Sequence, residues 1–258
     1  MTRTVSIPGV VAFALMVSAQ ANAQEIRGWS ERAFITIDVP FQVLHDGFSE
    51  ALNFADTIRP TETAQFAADY GSTRGPLIDL GAGYRVFGRL GIGVTVSLLR
   101  RAHTGLFDLT VPSPIAGNRP LNLNGSVAAL DRRDVGVHVQ ALYAVPIGRQ
   151  SRLMLSAGPS IFDTRQDLVR SIEFDILPGL TTVKFDQTLV TSATNTAVGL
   201  NVGADLTWNV ARHFGLGALS RYSRANVTLD PGSASGVNRS VTVHAGGLQL
   251  GGGIRIRF

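Results

Sequence analysis

Three sets of side chains in this sequence have types and spacings that could do chemistry. The first is charged. Asp38, Asp79, Arg85, Asp205, Arg255 and Arg257 stand at alternate positions among glycines and small polar residues, as in Asp79-Leu80-Gly81-Ala82-Gly83-Tyr84-Arg85 and Gly253-Ile254-Arg255-Ile256-Arg257. His138, Gln140, Asn201 and Gln249 follow the same alternation. Carboxylates and guanidiniums gathered into one narrow space must pair, because an unpaired charge there is costly. Such a cluster is either a salt-bridged plug or the lining of a narrow pore. Both signs are present, so strong ion selectivity is not expected.

The second set is basic: the doublets Arg100-Arg101 and Arg132-Arg133, with Arg165, Arg221 and Arg224 at comparable heights. A guanidinium stays charged and grips a phosphate as a fork. The alternative is a solvated surface with salt bridges to Asp131, Asp134 and Asp163. The third set is the five histidines, His45, His103, His138, His213 and His244. A catalytic nucleophile and its base must lie within hydrogen-bond reach. His244 is flanked by Val243 and Ala245, and Ser240 is too far along a strand to reach it directly. No catalytic residue is assigned. No spaced His, Asp and Glu cluster suggests a metal. Gly247-Leu248-Gln249-Leu250-Gly251-Gly252-Gly253 is a glycine-rich strand and not a phosphate loop, so no cofactor is expected.

The elements that must position these groups are strands, because side chains of a strand alternate faces. Ile78, Leu80, Ala82, Tyr84 and Val86 oppose Asp79, Gly81, Gly83 and Arg85; Val135, Val137, Val139, Ala141 and Tyr143 oppose Gly136, His138 and Gln140. About eight long segments follow this rule: Ala33–Asn53, Thr63–Phe87, Leu90–Thr110, Leu121–Ile147, Arg152–Phe174, Thr181–Val210, Phe214–Asp230 and Ser240–Phe258. Tight connections (Gly88-Arg89, 148–151, 211–213) alternate with looser ones rich in turn residues (56–62, 112–120, 175–180, 231–236). Short turns on one side and longer loops on the other are the pattern of a membrane barrel. Each apolar face is about the 9–11 residues a tilted strand needs to cross a bilayer. Tyr84, Tyr143 and Trp208 lie on that face just before tight turns, where an aromatic girdle belongs. The segments outrun the bilayer, so the wall is expected to continue into the outside medium.

Residues 1–23 read as a signal peptide: Arg3, an apolar run from Ile7 to Val17, and Ala21-Asn22-Ala23 as the small-residue cleavage pattern. That run is too short to anchor in a bilayer, and residues 24–258 are expected to form one barrel domain. The chain has no cysteine, so disulfide and thiol chemistry are excluded. Its formal charge of +4 comes from scattered arginines, which is not a nucleic-acid footprint.

The last strand ends in Ile254, Ile256 and Phe258 on one face, and resembles the assembly signal of bacterial outer-membrane β-barrels. With the leader and the alternating strands, the chain resembles the small outer-membrane barrels of the OmpA, OmpX and OmpW type along almost its whole length. The resemblance implies an all-β fold, an eight-stranded antiparallel up-and-down transmembrane barrel. It implies the bacterial outer membrane as location, and as partners the lipids there, lipopolysaccharide and the barrel-assembly machinery. Arg100, Arg101, Arg132 and Arg133 then become candidates for gripping lipopolysaccharide phosphates. The expected role is structural or surface contact by a monomeric, non-enzymatic barrel. A narrow channel for small solutes is the second reading and a lipid A-modifying enzyme the third.

Overall fold

The computed structural model describes residues 31–44, 47–55, 63–71, 74–111, 120–148, 150–176, 183–230, 232 and 240–258. The expected signal peptide, His45 and most of the looser connections lie outside them. Among the described residues eleven antiparallel strands form: β1 (Ala33–Leu44), β2 (Phe48–Ala55), β3 (Thr63–Tyr70), β4 (Gly75–Pro76), β5 (Ile78–Phe87), β6 (Leu90–Val111), β7 (Leu121–Pro146), β8 (Ser151–Ile176), β9 (Val183–Asn209), β10 (Phe214–Leu229) and β11 (Val241–Arg257). Strands β1 and β5 to β11 hydrogen-bond in a closed ring of eight, sealed by the β6–β7 and β1–β11 ladders. Strands β2 and β3 carry the first two wall strands outward, β2 pairing with β3 and β3 with β6. The first segment read from the sequence is described as two strands, β1 and β2, and the β1–β11 register shifts between Gln42 and Leu44 near the end of β1. The second breaks around β4, which pairs back to β1.

The exterior explains why the ring closes. On β6, Leu90, Ile92, Val94, Val96 and Leu98 face outward, each 40% or more exposed. Equivalent rows on the other strands make a continuous apolar band, with Tyr84, Tyr143 and Trp208 outward at its turn end. A soluble monomer does not expose a patch of that extent. Lipid does not hydrogen-bond an exposed strand edge, so a sheet surrounded by it must have none.

Beyond the band the pattern inverts on the same strands. Asp108, Asn226, Thr228 and Thr242 face outward and are exposed, while Phe107, Leu109, Val227, Leu229, Val241 and Val243 face inward and are buried. These inward side chains, with Phe66, Tyr70, Leu130, Phe162 and Leu168, fill the outer half of the barrel as an ordinary apolar core.

The wall is not evenly laddered there. The β9–β10 ladder ends at Arg224↔Leu200, whereas β10–β11 pairing runs on to Leu229↔Val241. The β1–β11 ladder stops at Leu248. Among the described residues, the outer part of the β10–β11 hairpin therefore has no ladder on either edge. Side chains cap its carbonyls instead: Asn195 Nδ2 donates to Thr228 O (2.7 Å), Gln42 Nε2 to Gly246 O (2.8 Å), and Arg132 Nη2, from the opposite wall, to His244 O (2.7 Å). Buried backbone groups without such partners would be costly. Gly246 and Gly247 mark the base of the hairpin at φ +90° and +137°, and a Cβ on Gly247 would stand 1.9 Å from Leu44 O.

Closure of β1 on β11 depends on Gly253, where a Cβ would fall 1.9 Å from Ile37 O and 2.7 Å from the Asp38 Cα. Gly253→Leu should abolish the folded, heat-shifted band on gels after refolding in detergent. Gly71→Ala, where a Cβ meets nothing within 4 Å, should refold like the parent. Normal refolding of Gly253→Leu would contradict this account of closure.

Candidate functional site

Inside the apolar band the barrel is largely polar, with a small apolar cluster of Leu142, Ala144, Met154 and Phe34 toward the turn end, and its charges pair within the lumen. Arg255 on β11 donates Nη1 to Asp38 Oδ1 on β1 (2.6 Å) and holds Asp205 on β9 through Nε and Nη2. Arg221 on β10 reaches Asp79 on β5, Nη2 to Oδ2 at 2.6 Å, and also meets Ser97 Oγ (2.8 Å) and Gln249 Oε1. Asp79 is fully buried, and Arg221 and Arg255 nearly so. At the turn end, Arg152 on β8 pairs with Glu31 across the mouth. Burial works against the Glu31 charge, but the Arg152 guanidinium outweighs it and holds the carboxyl below its ordinary pKa.

Asp38, Asp79, Asp205 and Arg255 thus face inward as their alternation implies. Arg257 faces inward too, but it donates to the carbonyls of Ala211 (2.6 Å) and Arg212 (3.0 Å) and caps the last tight turn. Arg85 is half-buried at the same rim. Arg221 corrects the sequence reading: it is not part of an outer belt but the partner of Asp79. Its parity with Gly215 and Gly217 on β10 is the signal that places it inside.

A second network stacks on the first. His138 is held between Ser97 Oγ (Nε2, 2.8 Å) and Ser160 Oγ (Nδ1, 2.7 Å); Asn201 bonds Ser160 and accepts from Gln140. Ser97 and His138 have the separation of a nucleophile and its base, but His138 is completely buried and a hydroxyl, not a carboxylate, sits on its far nitrogen. The pair is wall-to-wall bonding without access for a substrate. The two networks meet at Ser97, and on their turn side lies a cavity of about 60 Å³ bordered by Asp38, Asp79, Asp205, Arg221, Arg255 and Gln140. That is room for a few waters. Further out, His103 meets Gln166 and the edge of Tyr70. Burial first, and then the nearby Arg132, keep its pKa below the usual value.

The basic doublets are split by alternation. Arg100 and Arg133 face outward and are direct cross-strand neighbours, and Arg165 stands beside Arg133 on β8, also exposed. Arg100 pairs with exposed Asp131 at 3.0 Å. Arg101 turns inward and donates to Pro76 O. Arg132 is buried, paired with Asp134 at 3.0 Å. The belt read from the sequence is therefore corrected. Arg101 and Arg132 belong to the interior, and Arg165 joins Arg100 and Arg133 in the outward row.

No protein-family model and no curated protein matches this sequence. Among solved structures it is similar to the outer membrane protein OprG from Pseudomonas aeruginosa, with a TM-score of 0.53 and 12% identity over 90% of this chain and 98% of that one. Neisserial surface protein A aligns at TM-score 0.42 and 15% identity, over 88% and 97% of the two chains. The outer membrane protein AlkL aligns at 0.43 and 10%, over 93% and 95%. The likeness to OprG is one of fold: an eight-stranded antiparallel barrel.

Removing Arg255 leaves Asp38 and Asp205 facing each other without their cation. Arg255→Met should lose roughly 3–5 kcal/mol of stability, as expected when one partner of a buried pair is removed, in urea titrations of refolded protein. Adding Asp38→Asn and Asp205→Asn should recover most of that loss. An unchanged midpoint for Arg255→Met would show that the ion pairs do not hold the barrel.

Proposed function

We propose that this chain is an integral barrel of the bacterial outer membrane with a structural and surface-contact role and no enzymatic activity. Its apolar band, its girdle residues and its OprG-like fold support that location. The observation that carries the role is the filled lumen: ion pairs and a few-water cavity at membrane height, and an apolar core above them. Ion pairs and an apolar core in series favour a closed interior over a solute path, which makes the outside of the wall the working surface of this reading.

On that surface Arg100, Arg133 and Arg165 stand on three successive strands where the apolar band ends. Three forks at one height suit the phosphates of lipopolysaccharide in the outer leaflet. The terminal strand supports assembly by the barrel-inserting machinery, since Ile254 and Phe258 are exposed on the lipid side. The chain then works as a monomer, each barrel closing its own ring.

Two measurements test this reading. Refolded protein in planar bilayers should stay silent; reproducible single-channel steps would replace it with the narrow-channel reading. Replacing Arg100, Arg133 and Arg165 with Gln should cut lipopolysaccharide co-purification roughly tenfold, the scale of a few lost charge-assisted contacts. Undiminished co-purification would remove the arginine row from the account.

A further inference from the structure

The β9–β10 ladder ends at Arg224↔Leu200, and beyond it Asn195 Nδ2 bridges to Thr228 O. Around that ladder end lies a groove of about 770 Å³ on the outer surface. Its floor and sides are apolar and lipid-facing: Ala157 on β8, with Val198, Leu200 and Val202 on β9. Leu200 and Val198 are 72% and 73% exposed, among the most exposed side chains of the whole band. Gly199 and Gly158 mark close strand approaches beside it: a Cβ on Gly199 would stand 2.1 Å from Arg224 O, and one on Gly158 2.0 Å from Val139 O.

The head of the groove is polar and fixed. Tyr222 and Arg224 border it from β10, at the height where the outward face of that strand changes from apolar to polar. Arg224 Nη2 lies 3.3 Å from His244 Nε2, and His244 Nδ1 lies 2.8 Å from Asn226 Oδ1. A guanidinium braced in this way loses less side-chain freedom when it meets an anion. The site therefore pairs an apolar trough at acyl-chain depth with an exposed, oriented cation at headgroup depth.

We propose that this groove is a specific seat for one phosphorylated outer-leaflet lipid of the lipid A type. One phosphate lies on Arg224, and an acyl chain lies along Ala157, Val198, Leu200 and Val202. The inference rests on the outer-membrane reading above but not on the arginine row, whose three side chains lie outside the groove on β6, β7 and the outer part of β8.

The test is native mass spectrometry of detergent-refolded protein titrated with purified bis-phosphorylated lipid A. The parent should retain one lipid more tightly than any further ones. Arg224→Gln and the groove-filling Ala157→Trp should each weaken that first binding about tenfold or more, the scale of one lost charged contact or displaced chain. The Arg100/Arg133/Arg165→Gln variant should leave it unchanged. Heat-shifted mobility shows whether each variant is folded. Should Ala157→Trp not fold, Arg224→Lys reads the same site, since it keeps the charge and loses the fork. If lipid A binding falls only in the triple variant, the arginine row stands and the groove is overturned. If the parent retains no lipid A, both are overturned. Equal retention of phosphatidylethanolamine and lipid A would overturn the assignment to a phosphorylated glycolipid.

Discussion

Every feature of this barrel depends on one constraint: a strand surrounded by hydrocarbon has nowhere to send its backbone hydrogen bonds except to another strand. The answer is the β1–β11 ladder, which joins the two ends of the sheet and is tied off by Phe258 N to Ala33 O at 2.9 Å. Closing eight strands leaves an interior only as wide as the side chains that fill it. That narrowness in turn selects what can point inward. Gly251 and Gly253 let β11 approach Pro40 and Ile37, and the remaining space goes to charges and amides that satisfy one another. Arg255 between Asp38 and Asp205, and Arg221 on Asp79, follow from closure. A buried ion of either sign without its partner would cost a large share of the fold's net stability.

The second determinant is the change of solvent halfway along the long strands. Below the outer interface the wall faces lipid, and the apolar residues are outside. Above it the wall faces water, and the same alternation runs with the apolar residues inside. On β10 the outward residues change from Leu216 to Asn226 and Thr228, while the inward ones change from Gly217 to Val227 and Leu229. The lumen is thereby filled by two kinds of packing, ion pairs at membrane height and hydrocarbon beyond it. Arg100, Arg133 and Arg165 sit outward where the two regimes meet.

Much of this is legible in the sequence, because a period of two is a strong signal. The parity of Asp79 with Gly81 and Gly83, or of Arg255 with Gly253, is enough to place those charges inside. Tyr84, Tyr143 and Trp208 reveal the lipid face and its turn end. The same rule applied to the doublets separates Arg100 from Arg101 and Arg133 from Arg132, since neighbours on a strand cannot share a face. Reading their height alone puts both members of each doublet outside. What the sequence does not show is pairing between distant strands. The partnership of Arg221 with Asp79, the end of the β9–β10 ladder at Arg224 and the capping of His244 by Arg132 depend on register around the ring. No local pattern encodes that register.

One set of strands is thus inside-out in lipid and outside-in in water. The absence of native cysteines allows a spin label to be placed at single sites along β10 in a refolded, lipid-embedded barrel. Collision with oxygen reports lipid, and collision with a polar nickel chelate reports water. Labels at Leu216 and Ala218 should meet oxygen, labels at Asn226 and Thr228 should meet the chelate, and a label at Val227 should meet neither. A label at Thr228 that reports lipid, or one at Val227 that reports water, would contradict the account.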